Sequence, residues 1–149
     1  MNVIGFNFTK ILAEKLDTFS TQLLSINTNI EVLDLQKEKV EIIKDLEAYK
    51  ISYLFKILYN NRQSEKKEKT DKTAEISFEG AVVVTSDKEE SKEIQKFWKK
   101  KELPSQLKVQ LFNYLLKKCS IKAAFFEEEV SLPPHLPIPQ LNPIKKDEK

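Results

Sequence analysis

His135 and Cys119 are the only histidine and the only cysteine in 149 residues, and between them they limit most of the chemistry this chain could do. A structural zinc site takes about four ligands and a catalytic one about three, so carboxylates would have to supply most of any set. His135 stands inside Leu132-Pro133-Pro134-His135-Leu136-Pro137-Ile138-Pro139, with none of the other parts of a general acid–base site spaced around it. A packing or hydrogen-bonding role is expected for it. Cys119 falls on an apolar helical stripe, where a free thiol behaves as a small hydrophobe and no base is placed to activate it. Phosphate-cradling loops need glycine, and the chain has only Gly5 and Gly80. Gly80 follows Glu79 within a strand pattern, which points to a bulge or the close approach of a neighbouring element.

The remaining charged clusters have plain explanations. Glu89-Glu90 and Glu127-Glu128-Glu129 read as solvated helix faces. Lys66-Lys67 and Lys99-Lys100-Lys101 could touch phosphates, but they are interleaved with glutamate or sit at a helix end. No catalytic residue, metal ligand or cofactor is assigned, and a binding protein is expected rather than an enzyme.

The elements that carry these residues change period along the chain. Ile4, Phe6 and Phe8 alternate with polar neighbours, as a short strand does, and Asn27 to Leu35 is a second candidate, with Val40 to Ile43 as a continuation. The clearest strand runs from Ala48 to Asn60, with Tyr49, Ile51, Tyr53, Phe55, Ile57 and Tyr59 on one side. Residues 60–73, NNRQSEKKEKTDKT, hold no apolar side chain to offset the entropy of ordering and read as a mobile charged hairpin loop. The chain returns through Ala74 to Thr85, with Ile76, Phe78, Val82 and Val84 on one face.

From there the period is helical. Ser86 and Asp87 are candidate caps with glutamates three residues on, and Ile94, Phe97 and Trp98 share a face. Leu103-Pro104-Ser105 breaks the helix, and Ser105 is expected to cap the next. That helix spans about Gln106 to Glu129, with Leu107, Leu111, Leu115, Cys119 and Ala123 recurring every four residues. Strands first and helices last predict an α+β fold: a four-stranded antiparallel meander with two helices on one face and a proline-rich C-terminal segment. One domain over 1–143 and a frayed tail over 144–149 are expected.

Bulk properties agree with a binding role. Charged residues make up 32% of the chain but nearly cancel to +2, which is not the footprint of a dedicated nucleic-acid binder. A single cysteine precludes an internal disulfide, and no secretory signal or apolar span is legible, so a cytoplasmic setting is expected. Nine Phe, four Tyr and one Trp are a large apolar inventory. Two helices cover one side of the sheet, so Leu54, Leu58 and Val83 on the other are expected to need a second subunit, a bound peptide or the folded-back tail.

Three stretches resemble the SecB-type protein-export chaperones. Ala74 to Val82 is similar to that family's last strand, Leu111-Phe112-Asn113-Tyr114 to the start of its main helix, and Leu132-Pro133-Pro134 to the segment after it. Phe8-Thr9-Lys10-Ile11 resembles its opening strand. Asn113 replaces the family's proline, and no acidic C-terminal tail is present, so docking to a translocation ATPase does not follow. The resemblance implies a cytosolic holdase, dimeric or tetrameric, that binds unfolded polypeptide clients in apolar grooves without nucleotide. It would place Phe78, Val82, Leu132, Leu136 and Ile138 at the peptide-binding groove. Two other readings stay open: a specific protein-interaction adaptor that uses the proline-rich segment, and a nucleic-acid-binding accessory protein whose lysine clusters converge.

Overall fold

A computed structural model describes residues 1–40, 44–61 and 71–143. Four strands, β1 (Asn2–Lys15), β2 (Leu24–Glu38), β3 (Glu47–Asn61) and β4 (Asp71–Ser86), precede two helices, α1 (Lys88–Trp98) and α2 (Ser105–Glu129). The expected α+β class and element order are found. The flanks of the expected charged loop, Asn60–Asn61 and 71–73, are strand, and its centre, 62–70, lies outside the described residues, as do 41–43 and 144–149. Val40 is described and is not in a strand.

The sheet order is β1-β4-β3-β2, with every neighbouring pair antiparallel. β2, β3 and β4 form the expected meander. β1 does not sit beside β2; it joins the free edge of β4, which is Greek-key order. Residues 16–23 carry the chain across the end of the sheet to reach β2. Two bonds hold this crossing: Leu16 N–H donates to the Thr73 carbonyl at 2.9 Å, and Asn61 Nδ2 to the Thr18 carbonyl at 3.3 Å. Local alternation specifies each strand but says nothing about which edge the first strand will join.

Register explains the core. Phe55 pairs with Phe78, Ile57 with Ile76 and Ile51 with Val82, so the apolar rows of β3 and β4 coincide on one face and are fully buried. Gly80 stands opposite Phe8 of β1, beside a bulge between Phe8 and Lys10. A Cβ at Gly80 would lie 2.0 Å from the Asn7 carbonyl oxygen and 2.7 Å from the Tyr53 hydroxyl. The close approach of a neighbouring strand is therefore what requires this glycine.

The opposite face is not the apolar surface expected to need a cover. Leu54 is flanked across the strands by Glu31 and Glu79, and Leu58 by Asn27 and Glu75. Lys72 and Lys56 approach Glu75 at 2.8 and 3.7 Å. Leu54, Leu58 and Val83 are each half-buried among such neighbours. The leucines of this face are scattered among charged neighbours rather than gathered into an apolar patch.

Asp87 caps α1, accepting from the Glu90 N–H at 2.8 Å, as expected for a cap followed by a glutamate. Ser105 does not cap α2. Pro104 takes the N-cap position in an extended conformation without a side-chain bond, and Ser105 is the first helical residue. Among the described residues, no helix is long and apolar enough to cross a membrane.

Candidate functional site: two clefts flanking the long helix

The site follows from a mismatch of widths. Strands lie about 4.8 Å apart, so the outer strands of a four-stranded sheet are about 14 Å from each other. A helix with its side chains is only about 10 Å across. One long helix therefore covers two strands well and the edges poorly. Leu111, Leu115, Cys119 and Ala123 turn α2 onto the sheet and are fully buried, together with the helix-side rows of β3 and β4. Phe6 and Phe8 of β1, and Ile26, Ile30 and Val32 of β2, pack against this core but stay half-buried. Helix α1 is too short to cover the remainder.

Along β1 this leaves a cleft of about 470 Å³ with Phe6 and Phe8 on the strand and Ile121 and Phe125 on α2. Its walls are aromatic and braced from behind. The Phe6 ring meets Phe8 edge-on at 5.0 Å, Tyr114 at 5.8 Å, and stacks on Tyr53 at 5.8 Å; Phe8 meets Phe78 at 5.3 Å. Ile121 and Phe125 keep 68% and 56% of their surface exposed. Lys118 and Lys122 complete the rim.

Along β2 lies a second cleft of about 550 Å³, under the α1–α2 corner. Ile30 and Val32 floor it, Trp98, Leu103 and Phe112 wall it, and its charges are Lys101, Lys108, Glu31 and Glu102. Lys101 Nζ sits 4.9 Å from the Trp98 ring centre, and Lys108 Nζ 5.5 Å from that of Phe112. Such contacts pair the lysine stems with aromatic faces and keep the rings partly covered.

The five residues expected at a groove do not come together there. Phe78 and Val82 are fully buried; the Phe78 ring is enclosed by Phe8, by Phe55 at 5.9 Å and by Phe126 at 6.0 Å. Leu132 is buried too, while Leu136 and Ile138 are exposed and line neither cleft. The sheet centre is closed here because α2 presents small residues, Cys119 and Ala123, where it crosses and so packs closely. Open space is displaced to the flanks. Phe6 and Phe8 were legible as a strand face; Ile121 and Phe125, with Val109 and Leu116, hint in the sequence that α2 is apolar on more than one side.

His135 has the hydrogen-bonding role expected of it, but its partner is a surprise. Glu127 is not on a solvated face: it continues the four-residue spacing 111, 115, 119, 123 and is fully buried. Its carboxyl accepts from the Tyr59 hydroxyl at 2.5 Å and from the His135 N–H at 2.6 Å, with His135 Nδ1 at 2.5 Å. The Pro133 carbonyl, 2.9 Å from the same Tyr59 hydroxyl, competes with Glu127 for its one proton. Burial, with Glu127 adding to it, raises the Tyr59 phenol well above its ordinary value. The triad ties the start of the proline segment to α2 and β3. Burial likewise pushes the Cys119 thiol up to about 12, so it is no nucleophile. Among the described residues no group of three or more histidine, cysteine, aspartate or glutamate side chains is placed to hold a metal.

Fold and clefts together define a class: an α+β domain whose single long helix leaves apolar, aromatic-walled clefts along both edges of its sheet. No family model matches the chain, and no curated protein matches it. Among solved structures it is similar to Rv1957, a SecB-like chaperone of Mycobacterium tuberculosis, in complex with a ChAD peptide from the Rv1956 HigA1 antitoxin. That likeness spans 96% of this chain and 92% of the other, at 13% identity and a TM-score of 0.47. It is distant.

Proposed function

We propose that this protein is a chaperone-like, non-catalytic binder of unfolded or non-native polypeptide segments, which it holds in the clefts flanking α2. One observation carries the reading: Ile121 and Phe125 stand more than half exposed beside the half-buried Phe6 and Phe8, in a concave cleft. Fully burying a side chain of this kind contributes about 1.5–3 kcal/mol, so two of them supply a client segment with about 3–6 kcal/mol, a weak millimolar to tens-of-micromolar driving force before ordering costs. Contiguous apolar walls without a fixed pattern of hydrogen-bond donors suit sequence-tolerant binding. Phe78, Val82 and Leu132 serve behind these walls, as the packed floor that keeps the aromatic rows in place. Assembly as a dimer or tetramer, and a part in protein export in the cytoplasm, belong to the same proposal.

The test is suppression of aggregation. An equimolar amount of the protein should slow the aggregation of several unrelated unfolded clients, and Ile121→Asp/Phe125→Asp should not, while keeping the same melting temperature within about 2 °C. Equal protection by that variant, or no protection by the parent, would remove the reading. A specific adaptor is the second reading. The exposed Leu136 and Ile138, just beyond the anchored His135, favour it. Loss of a single defined partner on deleting 136–149, with client protection intact, would select it instead.

A further inference from the structure

The charges around the openings of this molecule are sorted. The β1–α2 cleft carries two, Lys118 and Lys122, both cations and both exposed, one helical turn apart on the rim. Among the described residues neither forms an ion pair; Lys118 Nζ lies 5.9 Å from the Tyr114 ring centre. Lys117 precedes them on α2; the nearest carboxyl along the helix, Glu127, is buried, and the nearest exposed ones, Glu128 and Glu129, lie beyond Phe125. The β2 cleft, by contrast, is balanced, with two lysines and two glutamates. Of these two clefts among the described residues, the one between β1 and α2 is where apolar walls meet charge of a single positive sign.

A client segment whose apolar residues lie among Phe6, Phe8, Ile121 and Phe125 must bring its flanking residues past these lysines. Acidic flanks would complete two ion pairs at this exposed rim; basic flanks would meet like charge. We infer that the β1–α2 cleft selects apolar segments flanked by aspartate or glutamate. This rests on the polypeptide-binding reading above and names the client chemistry of that cleft. The β2 cleft, being balanced, makes no such distinction.

Fluorescence anisotropy of the full chain with two labelled ten-residue peptides tests this, each with one Leu-Phe-Ile core and flanked by either aspartates or lysines. The acidic peptide should bind about tenfold tighter at low salt, the size expected when two weak surface ion pairs replace two like-charge contacts. The preference should shrink as ionic strength rises and the Debye length shortens. In Lys118→Glu/Lys122→Glu it should invert, and both lysines are exposed enough for the fold to tolerate the change. Equal affinity for the two peptides, or a preference that survives the charge reversal, overturns this inference alone. Binding of neither peptide overturns the polypeptide-binding reading and the inference with it.

Discussion

Replacing Glu127 by alanine isolates the least expected feature of this molecule, a carboxyl buried at the end of the helix stripe. Its removal leaves the His135 N–H and Nδ1 without their partner, while the Tyr59 hydroxyl keeps the Pro133 carbonyl. A buried group left unpaired costs about 1–3 kcal/mol, so the two orphaned nitrogens together cost about 2–6 kcal/mol. Against a total of about 5–15 kcal/mol for a domain, that is a large fraction. A central loss of about 4 kcal/mol lowers the melting temperature by about 8–16 °C at ~2–4 °C per kcal/mol for a chain of this size. Urea titration followed by circular dichroism gives the free energy, and hydrogen exchange at the His135 amide reports the local bond. His135→Ala in the Glu127→Ala background should cost less than in the parent, because the two side chains act on one another. A Glu127→Ala variant within about 1 kcal/mol of the parent, with the His135 amide still protected, would refute the triad as the anchor of the proline segment.

Three further outcomes follow from the geometry. Gly80→Ala forces a Cβ against the Asn7 carbonyl, backbone that cannot swing aside, and should lower the urea-derived stability by about 2 kcal/mol or more. Asp87→Ala removes the cap of α1 and should cost about 1 kcal/mol, with helix signal lost but client protection at the β1 cleft unchanged. Burial raises Cys119, from 9.0 to about 12, and also Tyr53 and Tyr59. The folded state therefore favours their neutral forms, and this stability, whole below pH 9, should be lost as pH rises from 9 towards 12. Urea midpoints measured across that range should fall steadily, and native Cys119 should resist iodoacetamide at pH 8 until the chain is unfolded.

Much of the molecule was legible in the order of its residues because the signals were local. Alternation from Tyr49 to Tyr59 and from Ile76 to Val84 marks strands with one buried face, since a strand's side chains alternate by construction. The four-residue spacing from Leu111 to Ala123 marks the helix and the side it buries. Gly80 announced a close approach, and His135 a hydrogen bond, each by exclusion of other roles.

What only the tertiary structure decided depends on distances between segments far apart in the chain. The pairing of β1 with β4 was invisible because alternation specifies a face and not a neighbour. Glu127 looked solvated because charge outweighs spacing in a local reading; burial became affordable only where Tyr59 and His135, 68 residues before and 8 after, supply its bonds. The clefts belong to neither helix nor sheet. They exist because one helix is narrower than four strands, and that comparison can be made only after the helix has been laid across the sheet.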